Sequence, residues 1–269
     1  YKTDDGFFGL YDDAHVYEWL WGFKYDILEI KKSENFSFCS TGIEIPEGKN
    51  LCEKAWTLFQ NDFGIGNVKI HLHKQIAIGG GLGGGSSNAS FTLKALNEIF
   101  KLKLTNKELK RYALKLGADC PFFIDNEPKK VKGIGEKMTK CDLDLSNYKI
   151  KLINPEIHIS TKEAYNTIQP RFPEFSINKI IQLPIKEWKN YLRNDFEEFL
   201  MKKYPVIKEK KEELYQNGAV YASMSGSGSV LYGIFNKKKW INLIIHTLIC
   251  QENFIVIISQ FLMIIWILL

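Results

Sequence analysis

Ile76-Ala77-Ile78-Gly79-Gly80-Gly81-Leu82-Gly83-Gly84-Gly85-Ser86-Ser87-Asn88 is the stretch that decides the fold of this chain. Six of the seven residues from 79 to 85 are glycine, so the backbone has few Cβ atoms to keep a polyanion off its N–H groups. Upstream, Val68, Ile70 and Leu72 alternate with Lys69, His71 and His73, which is the period of a half-buried strand. Downstream, Ala89, Leu93, Leu96 and Phe100 fall on one stripe at helical spacing, and Ser86, Ser87 and Asn88 are all good N-cap residues. The order predicted is strand, glycine loop, helix. The unpaired N–H groups of the helix's first turn then point at the loop and make a cradle for phosphate. In that cradle Gly84 is expected to leave room for a phosphate oxygen.

Two familiar phosphate motifs do not account for the stretch. Gly79, Gly81 and Gly84 satisfy G-x-G-x-x-G, but a dinucleotide site wants an acidic residue closing a second strand about 20 residues on. Here that distance falls on Glu98, inside the predicted helix. A Walker loop ends in Gly-Lys-Ser/Thr, and this sequence has no such ending. A flexible glycine linker would not be bracketed by a strand and a capped helix.

Gly81-Leu82-Gly83-Gly84-Gly85-Ser86-Ser87-Asn88-Ala89 resembles the second motif of the GHMP small-molecule kinases. Gly117-Ala118-Asp119-Cys120-Pro121-Phe122-Phe123 resembles the segment carrying that family's catalytic aspartate, and Met224-Ser225-Gly226-Ser227-Gly228-Ser229 its third, C-terminal glycine motif. The three occur in the family's order, and the likeness runs from about Tyr25 to Phe235. It implies an α+β, two-domain fold: an N-terminal ATP-binding domain like ribosomal S5 domain 2, and a C-terminal ferredoxin-like α/β plait. Residues 1–147 would form the first domain, with its start truncated, and residues 148–239 the second. Residues 240–269 form an apolar tail unlike the family.

The activity implied is ATP-dependent phosphorylation of a cytidine-diphosphate-linked sugar alcohol. Asp119 is the family-matched residue that would orient or deprotonate the acceptor hydroxyl. ATP would lie on Gly79, Gly80, Gly81, Leu82, Gly83, Gly84, Gly85, Ser86 and Ser87, with Mg²⁺ arriving on the nucleotide and meeting Ser86 or Ser87. Either serine could equally be only an N-cap. Asn50 and Lys74 match positions near adenine, and Asn50 could instead cap the helix that follows it. For the acceptor, the resemblance pairs Phe7 with Tyr165 as faces for the cytosine ring and adds Thr161, Gly226, Ser227 and Gly228; core packing is the alternative for the two aromatics.

The sequence also departs from the family. At Phe8 the family usually has a histidine that hydrogen-bonds cytosine, which phenylalanine cannot do. An Ala-Lys-Ile/Leu-Asn segment whose lysine approaches the transferred phosphate is absent, and the chain reads as a fragment lacking its natural start. Residues between Gly9 and Tyr25, with Asp12, Asp13, Trp19 and Trp21, align with nothing in the family. The uncharged run from Asn253 to Leu269 is short for a bilayer span and reads as a foreign tail rather than an anchor. An alternative reading is therefore a nucleotide-binding relative with weakened catalysis, held at a membrane by that tail.

The rest of the sequence is consistent with a globular enzyme. At 269 residues the chain can build one large core or two modest ones. A net charge of +5 is mild, and runs such as Lys208-Glu209-Lys210-Lys211-Glu212-Glu213 read as a solvated helix face, so no nucleic-acid partner is expected. The five cysteines show no C-x-x-C spacing and read as reduced thiols of a cytoplasmic protein, expected to be a monomer or weak dimer. Thr105 with Glu108 forms a capping box, and Gly117 ends that helix just before Asp119. Lys129 to Cys141 reads as a strand pair turning at Gly133-Ile134-Gly135. Lys149 to Ile153 reads as a strand, and Ser160 with Glu163 opens a short helix. Further helices are predicted over Ile177–Ile181, Trp188–Met201 and Tyr204–Asn217, the last stopped by Gly218.

Overall fold

The computed structural model of the protein describes residues 8–10 and 25–237, except 47, 49, 134, 136, 167 and 169–174, with side chains from Tyr25 onward. Phe7, the 11–24 stretch and the tail beyond 237 lie outside the described residues.

The first half is a four-stranded sheet with helices on one face. Its strands are β1 (Phe8–Leu10), β2 (Ile27–Lys32), β3 (Ser37–Gly42) and β4 (Val68–Lys74), in the order β1-β2-β4-β3. β2 runs antiparallel to β1 and β4, and β3 runs parallel to β4. Helix α1 (Leu51–Phe63) bridges the parallel pair, and α2 (Gly84–Ile99) and α3 (Asn106–Leu116) follow. Leu28, Ile30, Val68, Ile70 and Leu72 face Ala55, Phe59, Leu93, Leu96 and Ala113 in one buried cluster. Full burial of an aliphatic side chain of this kind is worth roughly 1.5–3 kcal/mol. The alternation read from β4 holds, and it ends with Lys74 on the buried side.

Local signals set the helix ends. Asn50 caps α1 by accepting from Cys52 N at 2.9 Å, and Glu53 reaches back to Asn50 N at 2.9 Å. Thr105 and Glu108 make the same box on α3, and Gly117 closes that helix. After it comes a helix the sequence did not suggest, α4 (Cys120–Asp125), six residues that are apolar up to their last. β5 (Lys129–Lys132) and β6 (Lys137–Lys140) then form the expected hairpin, and Val131 packs with Phe122, Phe123, Met138 and Leu82 of the glycine loop.

The second half is an antiparallel sheet ordered β7-β9-β8, from β7 (Tyr148–Ile153), β8 (Tyr221–Met224) and β9 (Leu231–Asn236). Both faces are covered. On one side α6 (Ile177–Ile180) and α7 (Ile185–Tyr191) bury Trp188 against Ile150, Tyr221 and Tyr232. On the other, α5 (Thr161–Tyr165), α8 (Glu197–Lys203) and α9 (Pro205–Gln216) pack on Ala222, Met224, Leu231 and Phe235. The central strand β9 therefore reads as a buried run rather than an alternation.

Two expectations need correction. The helix predicted over Trp188–Met201 is two helices, because the chain breaks at Asn194, whose side-chain oxygen accepts from Phe196 N at 3.0 Å. Helix α2 starts at Gly84, so Ser86, Ser87 and Asn88 lie inside its first turns and Gly83, at φ 65°, is the cap. Among the described residues no helix is long and apolar enough to cross a membrane.

Leu93 is fully buried at the centre of the first core. Leu93→Ala is expected to lower the unfolding free energy by about 3 kcal/mol. Urea denaturation should show this as a lower midpoint at unchanged slope.

Candidate active site

Beneath the glycine loop sits a buried ion pair. The side chains of Asp26 and Lys74 are 3% and 4% exposed and in direct contact. One Asp26 oxygen also accepts Gln75 N at 2.8 Å and Ile76 N at 3.0 Å, and the other accepts Asn88 Nδ2 at 3.0 Å. A buried carboxylate is stable only when paired and hydrogen-bonded in this way. The result is that the residue ahead of β2, the exit of β4, the loop entrance and helix α2 are fixed to one another. Gly84 packs directly above: a Cβ there would lie 2.9 Å from Lys74 Nζ and 3.0 Å from Ile76 Cγ2. The missing side chain at 84 therefore makes room for the ion pair below, not for a phosphate oxygen above, which corrects the expectation for Gly84.

The third glycine motif meets the first. It forms the connection between β8 and β9, and Ser225 Oγ donates to Gly81 O at 2.8 Å while Val230 N donates to Gly80 O at 3.2 Å. Gly81 has φ +76°, and a Cβ on it would come within 2.0 Å of Ser225 O, so only glycine fits this approach. A second buried carboxylate holds the motif from behind. Glu197 Oε1 accepts Met224 N at 2.6 Å and Ser223 Oγ at 3.2 Å, and its Oε2 pairs with Lys211 at 2.6 Å. Asn194 Nδ2 donates to Met224 O at 2.9 Å and to Gly226 O at 2.8 Å.

Asp119 is at the N-cap position of α4, but its side chain caps nothing. Burial alone pushes its carboxyl up to about 6. Its neighbour Cys120 is tied to α2, where Ser90 Oγ donates to Cys120 O at 2.6 Å and to Ser86 O at 2.9 Å. Through Ser90 the aspartate segment is held against the N-terminal half of the loop helix. A partly buried carboxyl that titrates near neutrality beside a phosphate cradle has the properties of a general base.

The remaining residues fall as follows. Gly79 and Gly85 are exposed, Gly80 and Gly84 are buried, and Gly81 and Gly83 are half-buried. Leu82 is an apolar anchor into the α4 cluster. Ser86 is half-buried, whereas Ser87 is only 5% exposed, so Ser86 is the accessible one of the two. Asn50 is the N-cap of α1, as one of its two readings had it. Lys74 is committed to Asp26 inside the protein, rather than free beside the loop. Thr161 opens α5, and Tyr165 is 62% exposed, edge-on to Phe196 at 5.2 Å, so it is no core residue. Gly226 and Ser227 are half-buried in the β8–β9 turn, and Gly228 is buried behind them. Asp26, Asn194 and Glu197 were not anticipated, since no local pattern marks a side chain whose partners lie on other elements.

The family model for the GHMP kinases N terminal domain matches residues 50–126, and that for the GHMP kinases C terminal matches residues 179–251, past the boundary expected at 239. A Bacteroides thetaiotaomicron protein named 4-diphosphocytidyl-2-C-methyl-D-erythritol kinase is 48% identical over 220 residues, 79% of this chain and 80% of its own length. A Cytophaga hutchinsonii protein of the same name is 42% identical over 240 residues, 88% of this chain and 87% of its own. A crystal structure of 4-(cytidine 5'-diphospho)-2C-methyl-D-erythritol kinase superposes with a TM-score of 0.69 at 25% identity, covering 87% of this chain and 85% of that one.

The raised Asp119 carboxyl sets a pH dependence. The unfolded chain loses this proton near pH 4 and the folded protein near 6, so the residue's contribution to stability falls as pH rises across that window and stays low above it. Asp119→Asn is therefore expected to raise the thermal midpoint at pH 8 and to leave it unchanged at pH 3.5. An equal shift at both values would show that the carboxyl is not destabilised in the fold.

Proposed function

The chain belongs to the GHMP kinases, and on that premise we propose that it transfers the γ-phosphoryl group of ATP to the 2-hydroxyl of 4-diphosphocytidyl-2-C-methyl-D-erythritol, a step in making isoprenoid precursors. The observation that carries the reading is the pairing of two features: a glycine loop running into the N-terminus of α2, and Asp119, its carboxyl pushed up to about 6, in the segment that Ser90 holds against that same helix. The relatives bearing this substrate's name, which match 79% and 88% of the chain, support the choice of acceptor.

Phosphoryl transfer asks the protein chiefly to position the groups and to balance their charge. In this reading the N–H groups of Gly85 and Ser86, free of intrahelical partners in the first turn of α2, hold the ATP phosphates. Mg²⁺ carried by ATP would offset their charge. Of the two serines, the Ser86 hydroxyl is the hard oxygen donor that would meet it, since Ser87 is too buried to serve. Asp119 takes the proton of the acceptor hydroxyl as the new P–O bond forms and the bond to the β,γ-bridging oxygen breaks, with ADP leaving. Asn50 lies on the adenine side, while Lys74, sealed with Asp26, shapes the cradle from below. Thr161, Tyr165 and the turn at Gly226, Ser227 and Gly228 face the acceptor, with Tyr165 stacking on cytosine and Phe7 opposite. Residues 1–147 form the nucleotide domain and 148–239 the acceptor domain. The enzyme works in the cytoplasm as a monomer or weak dimer.

Coupled ADP release with 4-diphosphocytidyl-2-C-methyl-D-erythritol tests the proposal. Asp119→Asn should lower kcat by about a hundredfold or more while ATP affinity stays within about threefold. Turnover near the wild-type rate would remove Asp119 from the chemistry. Wild-type protein that binds ATP but releases no ADP with this acceptor would favour the catalytically weakened relative instead.

A further inference from the structure

His158 stands where three segments converge. It lies between β7 and α5, and its ring rests on the first glycine of the loop: a Cβ added to Gly79 would come within 3.0 Å of His158 Cε1 and 3.1 Å of Nδ1. The preceding residue, Ile157, accepts the Ser229 hydroxyl from the third glycine motif through its carbonyl. The next, Ile159, is buried in the second core, and Ser160 caps α5 by accepting Glu163 N at 3.1 Å. The backbone on both sides of His158 is thus fixed while the side chain itself is exposed. Among the described residues no hydrogen bond or ion pair occupies its ring nitrogens. The nearby carboxylate of Glu163 is already taken by Lys203 Nζ at 2.7 Å and Tyr204 Oη at 2.8 Å, which leaves the imidazole N–H to an outside acceptor.

We propose that His158 is a specificity residue that hydrogen-bonds the diphosphate of the acceptor substrate at the outer edge of the glycine loop. The inference rests on the acceptor assigned above, a sugar alcohol joined to cytidine through a diphosphate. An imidazole N–H suits a phosphate oxygen, and such charge-assisted bonds are short and strong. ATP phosphates are the other source of the same chemistry, and placement argues against them. The helix N-terminus that would hold ATP begins at Gly84, at the far end of the loop, whereas His158 touches Gly79 and leads into the helix of Thr161 and Tyr165.

The test uses the whole chain saturated with MgADP, so that the donor site is filled, and titrates in CDP by calorimetry. His158→Ala should weaken CDP binding about tenfold, the scale of one hydrogen bond to a charged group. His158→Gln, which keeps an N–H donor, should recover most of that loss. ADP affinity and the thermal midpoint should stay at wild-type values in both variants, and in turnover the KM of the acceptor should rise while kcat is unchanged. CDP binding unaffected by His158→Ala overturns the proposal, as does an equal loss of ADP affinity. Wild-type protein that takes no CDP would overturn the acceptor assignment, and inorganic pyrophosphate titrated in the same way then decides on His158 alone: weaker binding in His158→Ala keeps the diphosphate contact, and equal binding removes it.

Discussion

The Asp26 carboxylate, sealed under the glycine loop with Lys74, is the contact on which the rest of the site depends. A stretch with six glycines in seven residues has no conformation of its own, and ordering each glycine costs more backbone entropy than ordering any other residue. The loop is determined from below, where one carboxylate satisfies Lys74, Gln75 N, Ile76 N and Asn88 together. Removing that charge would strand Lys74 in a space with almost no access to water, the situation in which a broken buried pair costs several kcal/mol.

The second half uses the same device on a different framework. Glu197 plays for the turn after β8 the part that Asp26 plays for the loop after β4, with Lys211 in place of Lys74 and a backbone N–H at the centre of each arrangement. Asn194 adds donors for two carbonyls of the same segment. Two glycine motifs, each backed by a buried acid, then close on one another through Ser225 and Gly81.

What could be read from the residues was whatever is encoded within a few positions. The strand into the loop, the box at Thr105, the hairpin at 129–141 and the stop at Gly218 depend on neighbours in sequence, and they appear where local chemistry puts them, as does the cap that was one of two readings of Asn50. Three features escaped. α4 is too short to show a period. The break at Asn194 interrupts an amphipathic pattern that continues on both sides, because its cause is a partner thirty residues away at Met224. The start of α2 came two residues early because glycines, poor helix formers in isolation, are required there by the packing of Lys74 and Ile76.

The contact between Gly81 and Ser225 bears on how far such a loop can be transplanted. Of the six glycines, those at 81 and 84 are dictated by Ser225 O and Lys74 Nζ, atoms of the same chain rather than of any nucleotide. Residues 79–88 grafted between a strand and a helix of another scaffold would carry the signature and lose the carboxylate, lysine and serine that shape it, leaving a floppy polyglycine segment. To move the function, an engineer would have to move the unremarkable residues Asp26, Lys74 and Ser225 along with the motif.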